Sequence, residues 1–308
     1  MAPVSVAVVS WNTRDLLRRC LASLESEHAA GRCSVWVVDN ASSDGSAELV
    51  RSEFPWVTLV ASEENLGFGR AINLVAAQTD APWLALANAD VALRPGALET
   101  LLRAGEAGAH AGAVAPRLLL RDGSTQHSVF SFPTIPQALA VSLGLGALFG
   151  RRFLMLGHFD AERAQRVPWA VAAFLLVRRA AWDAVGGFDE RQWMYAEDLD
   201  LGWRLAGAGW TTYFEPAAVV DHESAAATEQ AWGDSGKVER WQQETYAWMR
   251  RRRGRVRTTA FAAVQALAQG VRWVLLAAAA RVAPARYERR REAAHWWLGI
   301  HLTGMRSQ

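Results

Sequence analysis

Short apolar runs alternate with amphipathic stretches through the first third of the chain. Val4–Ser10 is a strand-length apolar run, and behind it Leu16, Leu17, Leu21 and Leu24 recur at the spacing of one helix face. Val35–Asp39, Val57–Ala61 and Trp83–Ala87 repeat the strand signal. Ala47–Glu53, Phe68–Gln78 and a stretch opened by Pro95 and reaching about Ala107 supply the helices. Continuous apolar strands alternating with helices predict an α/β fold: a Rossmann-like, mostly parallel central sheet with helices on both faces. Ligands of such sheets bind at the carboxyl ends of the strands. That rule selects Ser10–Asn12, Asp39–Asp44 and Asn88–Asp90.

The pattern breaks after Val114. Gln126–Pro136 and the glycine-rich Leu143–Gly150 read as loops or mobile elements. Regular structure resumes with an apolar strand, Val171–Val177, then a helix to Val185 and a Gly186-Gly187 stop. A helix from about Glu197 to Ala208 follows, then strand-like Thr211–Phe214 and Val219–Val220. The predicted division is a catalytic domain over 1–225, with halves at 1–115 and 116–225, and a basic helical tail over 226–308.

Composition sharpens the reading of the tail. The chain has 308 residues, 51% hydrophobic and 21% charged, which is globular. Its two cysteines, Cys20 and Cys33, have no metal-type spacing and suit a reducing compartment. Met1–Trp11 lacks the layout of a signal peptide, so a cytoplasmic location is expected. Residues 250–308 hold 13 arginines, no lysine and two glutamates, a charge of +11 against +2 for the whole chain. An acidic body with a basic tail points to an anionic partner.

Thr258–Ala283 is mostly apolar and long enough to span a bilayer, but Gln265, Gln269 and Arg272 interrupt it. An arginine at mid-span costs roughly 2.5–3.5 kcal/mol on insertion scales. The favoured reading is an amphipathic helix lying in the interface, with arginines on anionic headgroups and Trp273, Trp296 and Trp297 at the boundary. The protein would then be peripheral, at the inner face of the cytoplasmic membrane. Packing on its own core or on a homodimer partner is the alternative. Nucleic acid is disfavoured as a partner, because the charge is interleaved with long apolar runs.

Several carboxylates have the placement for chemistry. Asp39 and Asp44 flank the turn Asn40-Ala41-Ser42-Ser43; such residues cap turns and helices, and Asp39 could also hydrogen-bond a nucleobase or ribose. Asp90 closes the fourth strand, where a hard cation such as Mg²⁺ or Mn²⁺ would find an oxygen ligand. Glu197, Asp198 and Asp200 open a helix, complementing its positive end, and Asp200 with Arg204 forms an i,i+4 pair. Asp198 shares a face with Leu201 and Leu205, so it would point toward the sheet, as a general base at a cleft does. His222 is a metal ligand or a structural hydrogen-bonder.

Taken in order, these segments resemble family-2 glycosyltransferases. Val8-Val9-Ser10-Trp11-Asn12, Val37–Ser46, Asn65-Leu66-Gly67-Phe68-Gly69 and Asn73 resemble that family's nucleotide-binding half. Leu86-Ala87-Asn88-Ala89-Asp90 looks like its DxD motif, and Gly186–Glu190 with Met194–Leu201, Arg204 and Gly209-Trp210 resembles the rhamnosyltransferase-like branch. The resemblance covers roughly Val4 to His222 and implies a GT-A fold and transfer with inversion at the anomeric carbon.

It also implies roles. Ser10, Asn12, Asp39, Asn40, Asp44, Asn65, Gly67, Asn73, Asn88 and Asp90 would bind the nucleotide of a dTDP- or UDP-sugar. Asp90 and His222 would hold Mn²⁺ or Mg²⁺, and Asp198, beside Glu197, would be the catalytic base. Trp169, Tyr195, Glu197 and Asp200 would face a saccharide acceptor, lipid-linked if the tail lies on a membrane. dTDP-rhamnose is the favoured donor, for bacterial surface polysaccharide. A UDP-hexose transferase and a catalytically silent nucleotide- or lipid-binding scaffold are the alternatives. Two positions depart from the family pattern: Asn88 replaces the first Asp of the triplet, and Ala172-Ala173 stands where relatives often carry a glycine.

Overall fold

A computed structural model describes residues 2–142, 160–223 and 226–306. The chain divides into two compact units, one of residues 2–130 and 160–234, the other of residues 131–142 and 235–306.

The first unit opens with the predicted alternation: β1 (Val4–Ser10), α1 (Arg14–Ala29), β2 (Cys33–Asn40), α2 (Ser46–Glu53), β3 (Thr58–Ser62), α3 (Gly67–Ala76) and β4 (Trp83–Asn88). β5 (Val91–Leu93), α4 (Ala97–Ala107), β6 (Ala111–Leu119) and β7 (Val129–Phe130) follow, then β8 (Gln165–Val167), β9 (Trp169–Ala170), β10 (Phe174–Arg178), α6 (Arg179–Val185), α7 (Glu197–Gly207) and β11 (Thr211–His222). The main sheet runs β3-β2-β1-β4-β10-β6-β11-β5, with β8 also paired to β11; β7 and β9 form a separate ribbon. β1 to β4 are parallel, as are β6 and β11, whereas β10, β5 and β8 run against their neighbours. The sheet is therefore mostly parallel, as the sequence predicts.

Side chains alternate across it. Val4, Val6 and Val8 join Leu17, Leu21 and Leu24 of α1 and Leu98 and Leu101 of α4 in one core. On the opposite face α3 packs against β1 and β2, burying Ala71, Ile72 and Val75. Ser5, buried on that side, is satisfied by the hydroxyls of Ser34 (3.0 Å) and Thr79 (2.6 Å).

Three stretches differ from the sequence reading. The pattern does not break at Val114: Ala111–Leu119 is a buried strand of the main sheet. Its alanines and Pro116 hide it, because small residues carry little β signal and proline argues against a strand. Thr211–His222 is one strand with a register shift between Glu215 and Val219, where the sequence showed two fragments. The loop read over Gln126–Pro136 contains β7 and the start of a helix, α5 (Ile135–Ser142). Leu143–Gly150 lies outside the described residues.

The second unit is helical: α5, most of α8 (Ala226–Arg253), α9 (Arg255–Ala280) and α10 (Pro284–Arg306). Tyr246, Trp248, Phe261 and Ala262 form its interior, and the Tyr246 hydroxyl hydrogen-bonds Nδ1 of His301 (2.7 Å). Burial lowers the pKa of His301 to about 4, so the ring is neutral. Trp273, Trp296 and Trp297 are half-buried within this hairpin, Trp297 stacked on His301.

Candidate active site

The carboxyl ends of β1, β2 and β4 lie side by side, with Ser10 in register with Asp39 and Val9 with Asn88. Asp39 is buried; its Oδ2 accepts from the Ser42 amide (3.1 Å), while Oδ1 has no hydrogen-bond partner. The side-chain oxygen of Asn40 is likewise buried and unmet, though its amide nitrogen donates to the Gly67 carbonyl (3.3 Å). Buried polar atoms without partners are uncommon and mark places that a ligand or water completes.

Other candidates are committed to the framework. Asp44 accepts from the amides of Arg14 (2.8 Å) and Ser46 (3.0 Å), tying the starts of α1 and α2 together. Asn12, at φ 52°, accepts from the Ser43 amide and donates its own amide to Ser42. Ser10 exchanges a hydrogen bond with Thr13 (3.1 Å), and Asn65 caps the Gly67 amide (2.9 Å). Gly67 has φ 76°, and a Cβ there would stand 2.5 Å from the Trp193 carbonyl oxygen, so only glycine fits. Asn73 bridges to the Phe188 backbone at both its amide ends (2.9 and 3.0 Å), holding the 188–196 loop against α3.

Asp90 lies in the turn between β4 and β5, and β11 runs antiparallel to β5 so that His222 pairs with Val91. The His222 Nε2 stands 3.3 Å from Asp90 Oδ1, and Nδ1 lies 2.6 Å from the Gln126 side-chain oxygen. That oxygen selects the Nδ1–H tautomer, which turns the Nε2 lone pair toward a carboxylate. Nε2 is buried and makes no hydrogen bond. Two acceptors facing each other suit a divalent cation, with Gln126 orienting the imidazole behind it. Among the described residues no three His, Cys, Asp or Glu side chains converge, so a cation here would draw further oxygens from a ligand and water. Gln126 is missing from the sequence reading, since a glutamine in a loop gives no signal. So are Arg19 and Arg121, which both pair with Glu223, the residue whose amide donates to the Asp90 carbonyl (2.9 Å).

Asp198 reaches the same end of the sheet through β10. Phe174 pairs with Ala87, and Ala173 accepts from the Asn88 amide (2.9 Å). The adjoining Ala172 amide donates to the Asp198 carboxylate, as does the Leu199 amide (2.8 Å). Burial nevertheless wins over these bonds and raises the Asp198 pKa to about 6. Tyr195 and Ala196, just before α7, have φ of 63° and 60°. Two consecutive non-glycine residues in the left-handed region are strained, and such strain gathers at functional sites.

The remaining candidates sit deeper. Glu197 is half-buried at the first turn of α7. Asp200 is buried and holds Arg204 at 2.7 Å, and Arg204 also reaches the Val185 carbonyl. Trp169 is buried in the β7–β9 ribbon, stacked on Phe130, with Gly202 of α7 against its Cβ.

Residues 5–148 match the sequence profile of glycosyl transferase family 2, and residues 125–305 that of glycosyl transferase family group 2. N-acetylglucosaminyl-diphospho-decaprenol L-rhamnosyltransferase of Mycobacterium tuberculosis is 36% identical over 241 residues, covering 72% of this chain and 76% of that protein. The chain belongs to glycosyltransferase family 2. A second relative of this glycosyltransferase, the pre-mycofactocin glycosyltransferase of the same organism, is 31% identical over 231 residues, 71% of this chain and 42% of that one. In fold the glycosyltransferase is similar to the mannosyltransferase PcManGT from Pyrobaculum calidifontis, solved in complex with GDP-Man and Mn²⁺, at TM-score 0.59 and 18% identity, over 99% of this chain and 87% of that one. The architecture is thus GT-A, as the sequence resemblance implied.

Proposed function

We propose that the protein transfers L-rhamnose from dTDP-rhamnose, with inversion, to a saccharide carried by a lipid diphosphate in cell-surface polysaccharide synthesis. The observation that carries this reading is the 36% identity to an N-acetylglucosaminyl-diphospho-decaprenol L-rhamnosyltransferase over three-quarters of that protein's length. The donor's thymine and deoxyribose would lie against Asp39 and Asn40, a reading supported by their buried side-chain oxygens without partners. Asp90 and His222 would hold a divalent cation, Mn²⁺ or Mg²⁺, which when bound would supply Lewis-acid stabilisation of the departing diphosphate. Arg19 and Arg121, paired through Glu223 beside Asp90, add positive charge for the same phosphates.

Asp198 takes the proton of the attacking acceptor hydroxyl as that oxygen bonds the anomeric carbon and the diphosphate leaves. A carboxylate with pKa about 6 is ionised near neutrality yet basic enough to assist. Single displacement needs no enzyme nucleophile. Glu197 and Tyr195, at the strained entry to α7, face the acceptor, while Trp169 and Asp200 shape that region from behind. Residues 1–225 carry the chemistry, and the basic helices hold the enzyme at the inner face of the cytoplasmic membrane, where the lipid acceptor resides.

A donor panel tests the reading: dTDP-rhamnose, a UDP-hexose and GDP-mannose, each with a polyprenyl-diphosphate-linked N-acetylglucosamine. Product from dTDP-rhamnose alone supports it. Product only from a UDP-hexose would move the assignment to that donor class.

A further inference from the structure

The helical unit holds a cavity of about 250 Å³ between α9 and α10. Gln269 and Arg272 line it from α9, and Arg289, Arg290 and Trp297 from α10. No carboxylate lines it, and among the described residues none of the three guanidiniums has an ion pair or hydrogen bond. The neighbouring Glu288 is taken by Arg291. Three uncompensated cations around one void repel each other, and that repulsion becomes attraction once an anion enters. The Gln269 side-chain oxygen is buried without a donor, so the void is polar rather than a packing defect.

A second feature of α9 says what kind of molecule brings the anion. Leu267, Val271, Val274 and Leu275 are each more than half exposed, and their i, i+4, i+7, i+8 spacing puts them on one stripe. The helix as a whole is long and apolar enough to cross a membrane, and most of its apolar stretch is not buried within the protein. An exposed apolar stripe beside a cluster of arginines matches a bilayer interface, where acyl chains and phosphates adjoin.

We propose that the Arg272–Arg289–Arg290 cleft binds the phosphate group of a membrane lipid, with the α9 stripe entering the interface beside it. Arginine suits this ligand because its planar fork meets phosphate oxygens two at a time. The choice of a lipid rests on the membrane reading above; the anion site itself does not.

The test uses the full chain without divalent cation, so that the donor site does not contribute. Binding of inorganic pyrophosphate is measured by calorimetry for the wild type, for Arg289→Ala/Arg290→Ala and for a control pair in the same hairpin, Arg281→Ala/Arg286→Ala. All four positions are exposed, so the fold should survive. The pocket pair should bind about a hundredfold more weakly, from the loss of charged hydrogen bonds. The control pair should match the wild type, and Arg289→Lys/Arg290→Lys should recover most of the affinity.

Sedimentation with vesicles then separates the sources: phosphatidylcholine alone, phosphatidylcholine with phosphatidylglycerol, and phosphatidylcholine doped with a polyprenyl diphosphate. Pocket-dependent binding to the second identifies bulk anionic lipid, and to the third a diphosphate lipid; either supports the proposal. It is overturned if pyrophosphate binds the pocket pair as well as the wild type, or not at all. It is equally overturned if neither anionic vesicle distinguishes the two proteins. Sugar transfer is not read in any arm, so failure of the catalytic assignment leaves this result interpretable.

Discussion

His222 turns its Nε2 toward the Asp90 carboxylate at 3.3 Å while Gln126 holds the other ring nitrogen at 2.6 Å. The three residues come from the end of β11, the turn after β4 and the loop before β7, far apart in sequence. Their alignment makes the imidazole a lone-pair donor facing a carboxylate. Replacing Gln126 with Ala should therefore weaken Mn²⁺ affinity by about 10–100-fold without touching a ligand. His222→Ala should weaken it at least as much. Calorimetric Mn²⁺ titration in the presence of the nucleoside diphosphate reads both, and an unchanged affinity in Gln126→Ala would show that the ring is oriented by something else.

Asp198 should give the rate its acid limb. Burial lifts its pKa to about 6, and the base must be ionised to work. Below about pH 6 kcat should fall tenfold per unit, with a plateau above. The same shift has a stability consequence of opposite sense. A carboxyl whose folded pKa exceeds its unfolded one binds more protons when folded, so it favours folding at low pH and loses that contribution as pH rises through 6. Asp198→Asn keeps an acceptor for the Leu199 amide and removes the half-buried charge. Its Tm near neutrality should equal or exceed that of the wild type by scanning calorimetry.

Asp39 offers one unmet buried oxygen and one held by Ser42. If the free oxygen contacts the donor's base or ribose, Asp39→Asn should raise the donor Kd by about 10–100-fold, the value of one hydrogen bond to a charged group. Equilibrium binding of the nucleoside diphosphate measures it.

Gly202 lies under Trp169, where an added Cβ would stand 2.4 Å from the tryptophan Cβ. Gly202→Ala should therefore destabilise by about 1–3 kcal/mol, the usual range for overpacking. Chemical denaturation with an unchanged m-value would register it.

Much of this molecule is legible in its residues. β1, β2 and β4 are largely apolar runs ending in Ser10, Asn40 and Asn88, so both the parallel half and the edge that holds the candidate site follow from pattern alone. β6 escapes, because Ala111, Ala113 and Ala115 with Pro116 look like a loop until burial is known. The base role proposed for Asp198 rests on helical spacing and on the family resemblance, but its elevated pKa depends on burial that spacing cannot measure. Gln126 and the arginine cleft are invisible in sequence for one reason: each is created by elements that only tertiary packing brings together. Asp44 shows the converse, a residue selected by motif whose oxygens the structure spends on the starts of α1 and α2.

The most direct test of the account compares wild type and Asp198→Asn in two assays: rhamnosyl transfer from dTDP-rhamnose to a lipid-linked N-acetylglucosamine, and calorimetric binding of dTDP with Mn²⁺. The wild type should transfer rhamnose, the variant should lose about 10²–10⁴-fold of that activity, and both should bind dTDP with the same affinity. Undiminished transfer by Asp198→Asn would contradict the account.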